Sequence, residues 1–362
     1  MNFPLKPSPL QAAHHAAGAR LAAFTGWELP ADFGSPHAEH LCVRQAAGLF
    51  DLSHLTQLDV SGTDAVPYLR RLLANDVLRM PHNGATLYSC MLNERGCILD
   101  DFIVHRISEG EYRLIGNAAN DERDIRWMRR NIAATGANVA LAIRRDLALI
   151  SIQGPEALER AMQAIPEMNT SRGLPAPFEA VRLADLFIAR TGFTGEDGLE
   201  ISVPIRRSPA MWQALLKAGI RPCGMLARES LRLEAGFRQY GRDMDDMSTP
   251  LDSGMVHTLD LSDPERDFCG RQALENDPWI TNTGGLIFQA DTPSPGMVVH
   301  TAQGRGFTTS AAFSPILGQS IALARLPDGT QPGDEAEIEV QGQRIAARVV
   351  KPPFVLHGQA RD

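Results

Sequence analysis

The 362-residue sequence is poor in lysine and has no excess of positive charge. Lys6, Lys217 and Lys351 are its only lysines, so that 32 of its 35 basic residues are arginine, and the formal net charge is −8. A general nucleic-acid-binding protein usually carries a basic face large enough to shift the net charge of the whole chain towards positive values. We therefore expect no nucleic-acid partner, and we expect any bound anion to be held by guanidinium groups.

Paired cysteines and long apolar runs are also lacking. The five cysteines are odd in number and widely spaced, with no Cys-x-x-Cys pair and no group of His and Cys at zinc-ligand spacing. No apolar run approaches the roughly 18 residues of a membrane span, and the N-terminal stretch lacks the apolar core of a signal peptide. These absences predict a reduced, cytoplasmic protein with no membrane partner and no metal.

The order of helix and strand signals predicts an α+β body followed by a small all-β domain. The length suggests two or three domains, and 44% hydrophobic against 22% charged residues is an ordinary globular composition. After Pro278, short apolar strands are separated by Gly, Pro and Asp turns, which is typical of a barrel or jelly roll. The proposed domains are residues 1–275 and 284–362.

Turn and capping residues mark the elements of the body. A hairpin is expected around the turn at 93–96. A cap at Thr63 or Asp64 and a first-position proline, Pro155, mark the starts of two helices. The predicted helices cover 37–47, 62–74, 121–133, 155–165, 208–218 and 224–235, and the predicted strands cover 87–93, 97–106, 112–117, 147–154, 184–191 and 198–204.

Two adjacent carboxylates, Asp100 and Asp101, lie in the apolar part of the second hairpin strand. Because neighbouring residues of a strand point to opposite faces, at most one of the two can enter a given pocket. One solvated and one hydrogen-bonded carboxylate is the ordinary interpretation of such a pair. The apolar neighbours favour a functional one, since a desolvated carboxylate must find a partner or shift its pKa.

Other polar positions have ordinary explanations. Glu200 follows a Gly-rich turn and alternates with apolar residues, as a surface carboxylate also would. Arg228 and Arg232 share one helix face with glutamates available to pair, which is typical of a solvated, salt-bridged helix. His37 and His40 are interpreted as helix surface. The residues alone predict a two-part α+β protein with several candidate polar sites and no specific chemistry.

Segments spread over almost the whole chain carry a resemblance to a known family. They are FTGWELP (24–30), RQAAGLFDLSHL (44–55), LYSCMLNERGCILDDFIV (87–104), NAANDERD (117–124), TGFTGEDGLEI (191–201), GMLARESLRLEAGFRQYGRDMDDMSTPLDSG (224–254), DFCGRQAL (267–274) and GFTTSAAFSPILGQSIALA (306–324). Read in order, they resemble the glycine cleavage system T-protein family, the aminomethyltransferases.

The resemblance implies a fold and a reaction. The fold is a three-domain cloverleaf around a central opening that holds tetrahydrofolate, with a C-terminal β-barrel. The reaction transfers a one-carbon unit to tetrahydrofolate, the acceptor substrate, from an aminomethyl group on the lipoyl arm of H-protein. Its products are 5,10-methylenetetrahydrofolate, ammonia and dihydrolipoyl H-protein. No metal takes part.

The resemblance also assigns roles on the hairpin side of the chain. Asp101 falls on the family's key carboxylate beside the pterin nitrogens that receive the carbon, where positioning and electrostatics would drive transfer. Tyr88, across the hairpin, would pack on the folate. Asn117 matches a pterin-contacting position.

Three further folate positions lie in the second half of the body. Glu200 would bond the 2-amino edge of the pterin. Arg232 would hold the pterin pocket or a folate carboxylate with its planar fork. Phe193 stands where the family usually has Tyr, so that one hydroxyl is missing from the folate wall.

Departures from the family pattern concern the donor more than the folate. Leu55 replaces the Met usual after Ser-His, Arg242 replaces a His, and Val256-His257 replace Gly-Trp. We therefore name Leu55, Arg242 and His257 as candidates for the donor pocket. The C-terminal contact of the family with folate has no clear counterpart in this chain.

Two alternatives remain open at this point. One is a tetrahydrofolate-dependent demethylase that takes methyl groups from a small S-, O- or N-methylated donor and forms 5-methyltetrahydrofolate. The other is a non-catalytic folate-binding protein like the relative involved in iron–sulfur cluster maintenance. Against the latter, Asp267 occupies the place of that relative's cysteine, and Cys269 falls two residues later. The folate product separates the aminomethyltransferase from the demethylase, because the first forms 5,10-methylenetetrahydrofolate and the second forms 5-methyltetrahydrofolate.

Overall fold

Helices and strands alternate through the body, and strands dominate the described part of the C-terminal region. The computed structural model describes residues 4–169, 174–276, 281–290 and 293–361. The helices are α1 (Gln11–Ala16), α2 (Pro36–Gln45), α3 (Ala65–Leu72), α4 (Asp121–Thr135), α5 (Ala157–Ala164), α6 (Ser208–Lys217), α7 (Met225–Glu234) and α8 (Arg271–Asn276).

The strands fall into three larger sheets and two small ones. They are β1 (Lys6–Pro7), β2 (Arg20–Phe24), β3 (Trp27–Asp32), β4 (Gly48–Asp51), β5 (Thr56–Ser61), β6 (Thr86–Leu92), β7 (Ile98–Ser108), β8 (Glu111–Gly116), β9 (Ala140–Ile143), β10 (Leu147–Gln153), β11 (Ala180–Leu183), β12 (Leu186–Ala189), β13 (Gly198–Pro204), β14 (Arg221–Pro222), β15 (Thr281–Phe288), β16 (Val298–Thr301), β17 (Gly304–Ser314), β18 (Gln319–Pro327), β19 (Glu335–Val340), β20 (Gln343–Val350), β21 (Val355–Leu356) and β22 (Gln359–Ala360).

The expected hairpin forms the edge of a five-stranded antiparallel sheet. The strand order is β6-β7-β8-β5-β9, and Cys90 of β6 pairs with Asp101 of β7. Helices α3 and α4 bury Leu69 and Met128 in the core beneath the sheet. Asp64 is the N-cap residue of α3, as predicted, but its side chain accepts from the backbone N–H of Asn138 and makes no hydrogen bond to its own helix.

A six-stranded sheet, in the order β11-β12-β13-β10-β4-β14, forms the second part of the body. Its central strand β10 is buried along its whole length, and Trp212 of α6 is part of its core. The strand expected at 184–191 is present as β12, and it pairs with β11, which the sequence did not predict, across a turn at Ala184, where φ is +53°. Helix α5 begins at Ala157, two residues after Pro155.

The C-terminal strands close into a barrel in the order β15-β18-β17-β16-β19-β20. The predicted α+β fold with a C-terminal β-barrel is therefore confirmed. Strand β17 did not stand out in the sequence because Gly304, Gly306 and the polar run Thr308–Ser310 weaken its apolar alternation. The domain limits 1–275 and 284–362 remain a prediction.

Helix α7 joins the body to the barrel through buried polar contacts. Glu234, at its last position, accepts hydrogen bonds from His40 Nε2 at 2.9 Å, Arg44 Nε at 3.0 Å and Ser314 Oγ at 2.5 Å. His40 is fully buried, so the interpretation of this residue as helix surface is wrong. The sequence could not reveal the pair, because its two members are 194 residues apart.

Candidate functional site

Asp101 lies at the centre of a hydrogen-bonded cluster in the five-stranded sheet. Its Oδ2 accepts a hydrogen bond from the Tyr88 hydroxyl at 2.7 Å, and its Oδ1 accepts one from Asn117 Nδ2 at 2.9 Å. Tyr88 lies on β6 and Asn117 directly follows β8, which flank β7 on either side. Three neighbouring strands therefore bring together three residues that the sequence named separately.

The Asp101 carboxyl is able to change its protonation state near neutral pH. Burial, and after it the like charge of Asp100, raises the pKa of Asp101 from 3.8 to about 7. Hydrogen bonds from Tyr88 and Asn117 oppose this shift without cancelling it. A carboxyl group with such a pKa can accept and release a proton under physiological conditions, as general acid–base chemistry requires.

The neighbouring Asp100 is fully buried and held by amides. Its Oδ1 accepts hydrogen bonds from Asn117 Nδ2 at 2.7 Å and Asn120 Nδ2 at 2.9 Å, and its Oδ2 accepts one from the Asn117 backbone N–H at 3.2 Å. The Asn117 amide thus contacts both carboxyl groups, although they alternate along the strand. It can do so because it lies just beyond the end of the adjacent strand.

A second cluster surrounds Glu200 in the six-stranded sheet. Its Oε2 accepts a hydrogen bond from Thr191 Oγ1 at 2.6 Å, and burial raises the pKa of the Glu200 carboxyl. The Arg228 guanidinium lies nearby, with its carbon 4.7 Å from the centre of the Phe193 ring in a cation–π contact. Among the described residues, none accepts a hydrogen bond from this guanidinium. Burial lowers the pKa of Arg228, and the charges of Glu200 and Glu229 oppose this shift.

Arg232, the arginine chosen from the sequence, has no donor left for a ligand. Its Nε and one terminal nitrogen donate to Glu229, its other terminal nitrogen donates to Asp243 and the Phe237 carbonyl, and Ser310 accepts the last N–H. The side chain is fully buried. It therefore holds α7 to its neighbouring segments, and a direct bond to a ligand would require one of these contacts to break.

The two clusters approach each other at the segment that follows α7. Phe237 stacks on Phe193, with ring centres 5.4 Å apart and planes 11° from parallel. The next residue, Arg238, lies within electrostatic range of Tyr88, whose ring also contacts His257 at a centre distance of 5.8 Å. The residues around Asp101 and the residues around Glu200 therefore belong to one continuous region.

Comparison with known proteins identifies the family. Residues 10–263 match the family model described as GCVT N-terminal domain, and residues 284–355 match the glycine cleavage T-protein C-terminal barrel domain. The chain belongs to the glycine cleavage T-protein family. The resemblance seen in the sequence is therefore confirmed.

Relatives and a solved structure cover essentially all of the chain. It is 47% identical to an aminomethyltransferase of Bordetella petrii over 362 residues, or 99% of both chains, and 42% identical to one of Burkholderia multivorans over 98% of both. Aminomethyltransferase T of the glycine cleavage system from Bartonella henselae superposes with a TM-score of 0.90 at 32% identity, covering 99% of this chain and 100% of that one. The predicted transferase activity, that of an aminomethyltransferase, is thereby confirmed.

The three donor-pocket candidates of this T-protein family member have different surroundings. Leu55 packs beside the buried cluster that joins the two sheets of the body. His257 lies against the Tyr88 ring, and burial lowers its pKa. Arg242 is half exposed and forms an ion pair with Glu229 at 2.9 Å. Their part in donor choice stays a prediction.

The structure brings two further residues, Arg228 and His54, near the Glu200 cluster, and neither is a site candidate from the sequence. Arg228 was passed over in favour of Arg232, because both occupy one helix face and sequence does not show which one is paired. His54 is buried, its Nδ1 has no hydrogen-bond partner in the described chain, and burial followed by the charge of Arg228 lowers its pKa to about 4. The signal in the sequence for His54 is its position three residues after the buried strand β4.

Several general properties of the chain are also visible. All five cysteines are free. Within the described residues, no group of three or more His, Cys, Asp or Glu side chains is arranged to hold a metal ion, and no helix is long and apolar enough to cross a bilayer. The cytoplasmic location remains a prediction from the sequence.

Proposed function

We propose that the Asp101 cluster binds the reduced pterin of tetrahydrofolate and that the one-carbon unit of an aminomethyl donor is transferred to it there. The single observation that carries this proposal is the Asp101 carboxyl, held by Tyr88 and Asn117 with a pKa of about 7. A carboxylate of this kind recognises the N–H groups of a reduced pterin, and it can take a proton from the nitrogen that attacks the donor carbon.

The other side chains of the region also suit tetrahydrofolate as the acceptor substrate. Glu200 offers a second buried acceptor for N–H groups. Phe193 and Phe237 present aromatic surface, against which a flat pterin can pack. The guanidinium of Arg228, from which no described residue accepts a hydrogen bond, would bind a carbonyl or carboxylate oxygen of the folate. We therefore assign the cationic contact to Arg228 and a supporting role to Arg232.

The proposed donor is the aminomethyl group on the lipoyl arm of H-protein. Its carbon loses the bonds to sulfur and to the amine nitrogen and gains bonds to N5 and N10 of tetrahydrofolate. The two protons released from those nitrogens complete the ammonia and the dihydrolipoyl thiol. Asp101 would accept one of these protons and pass it on, while Tyr88 and Asn117 hold its carboxyl in place.

The test uses the full chain, tetrahydrofolate and aminomethyl-lipoyl H-protein, with the folate product identified by mass spectrometry and ammonia measured in parallel. We expect 5,10-methylenetetrahydrofolate and ammonia from the wild type. Asp101→Asn keeps the shape of the side chain but cannot accept the proton, so we expect turnover to fall by about 10²-fold or more. Activity of the wild type should also decline as the pH falls through about 7 and Asp101 becomes protonated.

Glu109→Gln is the matched control, because Glu109 is an exposed carboxylate in the turn between β7 and β8. It should leave turnover unchanged. A 5-methyl product without ammonia would replace the aminomethyl donor by a methylated one. Near-normal turnover of Asp101→Asn would remove Asp101 from the reaction.

A further inference from the structure

A third carboxyl group lies beneath the Asp100–Asp101 pair. Asp124, in the first turn of α4, is 4% exposed, and its carboxyl is in hydrogen-bonding contact with that of the fully buried Asp100. Asp100 in turn shares the Asn117 amide with Asp101. Three carboxyl groups therefore form a continuous chain that leads from the helix to the folate site.

One cation, Arg123, forms an ion pair with Asp124, and it opposes the rise in the pKa of the Asp124 carboxyl. Arg123 Nε is 3.5 Å from Asp124 Oδ1, yet both atoms are buried without a hydrogen-bond partner. The terminal nitrogens of Arg123 donate elsewhere, to the Tyr240 hydroxyl and to the Leu99 carbonyl. Two adjacent buried carboxylates beside one guanidinium still repel each other, and a proton shared between them removes that repulsion.

We infer that Asp124 is a protonated carboxylic acid that donates a hydrogen bond to Asp100, and that this pair fixes a single negative charge beneath Asp101. The inference rests on the proposed role of Asp101 as proton acceptor. Asp124 contacts neither substrate nor reacting atoms, so it is a positioning residue. It acts through Asp100 by keeping that group ionised.

Electrostatics places the proton on Asp124. Burial, and then the charge of Asp100, raises the pKa of Asp124 to about 10. Burial also raises the pKa of Asp100, but donation from Asp124, Asn117 and Asn120 stabilises its ionised form. The charge retained on Asp100 is in turn one of the causes that raise the pKa of Asp101 to about 7.

The other titratable groups around the three carboxyls keep their charge near neutral pH. Burial raises the pKa values of Tyr88 and Cys90 on β6, and that of Tyr240 on the far side of Asp100. The pKa of Arg123 is raised by Tyr240 and by the carboxylates, although burial opposes the shift. A change in titration near pH 7 therefore reports on the carboxyl chain itself.

The test compares two substitutions of Asp124 in the full-length protein. Asp124→Asn keeps a donor to Asp100, as the protonated acid does, and we expect the wild-type midpoint in the pH dependence of kcat/KM for tetrahydrofolate. Asp124→Ala removes the donor. Asp100 then takes up the proton, Asp101 loses its charged neighbour, and the midpoint should move to lower pH by about one unit.

Infrared difference spectroscopy of the folate-free protein reports on the proton directly. At mildly alkaline pH, where Asp101 is ionised, the wild-type minus Asp124→Asn spectrum should contain the C=O stretching band of a protonated carboxylic acid. This readout needs neither turnover nor ligand. It therefore stands even if the proposed reaction is wrong or if Asp124→Ala does not fold.

The control variants are Glu122→Gln and Glu122→Ala, because Glu122 is an exposed carboxylate on the same helical turn. Neither should move the midpoint or the infrared band. The inference is overturned if Asp124→Asn shifts the midpoint as far as Asp124→Ala does, since Asp124 would then act as an ionised group. It is also overturned if neither variant shifts the midpoint, or if the carboxylic acid band is missing.

Discussion

Two arginines of helix α7 differ in their hydrogen bonding, because different groups surround them. Arg228 and Arg232 are one helical turn apart on α7, yet Arg232 gives all five of its N–H groups to the protein while Arg228 gives none to any described residue. An unpaired, largely desolvated guanidinium lowers stability and favours a ligand, whereas a saturated one holds its neighbours in place.

Replacing each arginine by methionine should separate these roles. Arg228→Met should raise the KM for tetrahydrofolate on the order of tenfold, since a charge-assisted hydrogen bond is lost. Its melting temperature should stay equal or rise, because a partly desolvated charge with no hydrogen-bond acceptor among the described residues is removed. Arg232→Met should lower the free energy of unfolding by about 3–5 kcal/mol, because Asp243 loses its partner. Thermal melts and KM measurements on both variants check this, and the reverse pattern would restore the folate contact to Arg232.

At the scale of elements, helix α7 links ligand binding to assembly of the fold. Its first turns carry Arg228 towards the site, and its end carries Glu234 into contact with α2 and the barrel. Burial works against ionisation of Glu234, but hydrogen bonds from His40 and the charge of Arg44 hold the pKa of this carboxyl below its ordinary value. Ionised Glu234 therefore stabilises the fold.

The sign of this effect predicts a pH dependence. A lowered pKa contributes stability above the pKa of the unfolded chain, and that stability is lost as the pH falls through the folded value. Glu234→Gln should lower the free energy of unfolding by about 3 kcal/mol at neutral pH, and the difference from wild type should shrink towards about pH 3, below the ordinary pKa of a glutamate. Denaturant titrations at both pH values measure it.

The matched control for Glu234→Gln is Glu337→Gln, which breaks an exposed pair with Arg344 on the barrel. It should cost less than about 1 kcal/mol at either pH. A Glu234→Gln deficit that is the same at both pH values would mean that the ionisation of Glu234 does not stabilise the fold.

At the scale of the molecule, the barrel and the body share a buried polar boundary. Ser310 and Ser314 of β17 accept from Arg232 and donate to Glu234, respectively, and the backbone N–H of Phe354 donates to the Glu234 carbonyl at 2.8 Å. Without the barrel, Arg232 and Glu234 would remain charged but would lose their hydrogen bonds to Ser310 and Ser314. The body is therefore not expected to be stable alone.

A chain ending at Asn276 tests this expectation. It should be largely insoluble or lack a cooperative melting transition, because truncation also uncovers the buried Leu233. Solubility, near-ultraviolet circular dichroism and a thermal melt, each beside the full chain, provide the measurement. A soluble body with native dichroism and a sharp melt would show that the boundary adds little to stability.

Local signals in the sequence determined much of the fold. The hairpin around 93–96, the buried strand β10, the amphipathic helices and the β-rich C-terminal region follow from periodicity and turn residues, which act over a few positions. Strands β11 and β17 were missed, since a positive-φ turn at Ala184 and weak alternation leave no clear pattern. Asp101, Tyr88, Asn117 and Glu200 could be named from motifs spread along the whole chain.

Only the tertiary structure decided what those residues can do. Which arginine of α7 is free, whether His40 is buried, and how Asp124 comes to contact Asp100 depend on partners that are far away in the sequence or on another element. Burial and pairing set the charge of a side chain, and both are properties of the packed molecule. The scarcity of lysine predicted only that guanidinium groups would hold any bound anion. Packing left Arg228 beside the proposed folate site, with no hydrogen-bond acceptor in the described part of the chain.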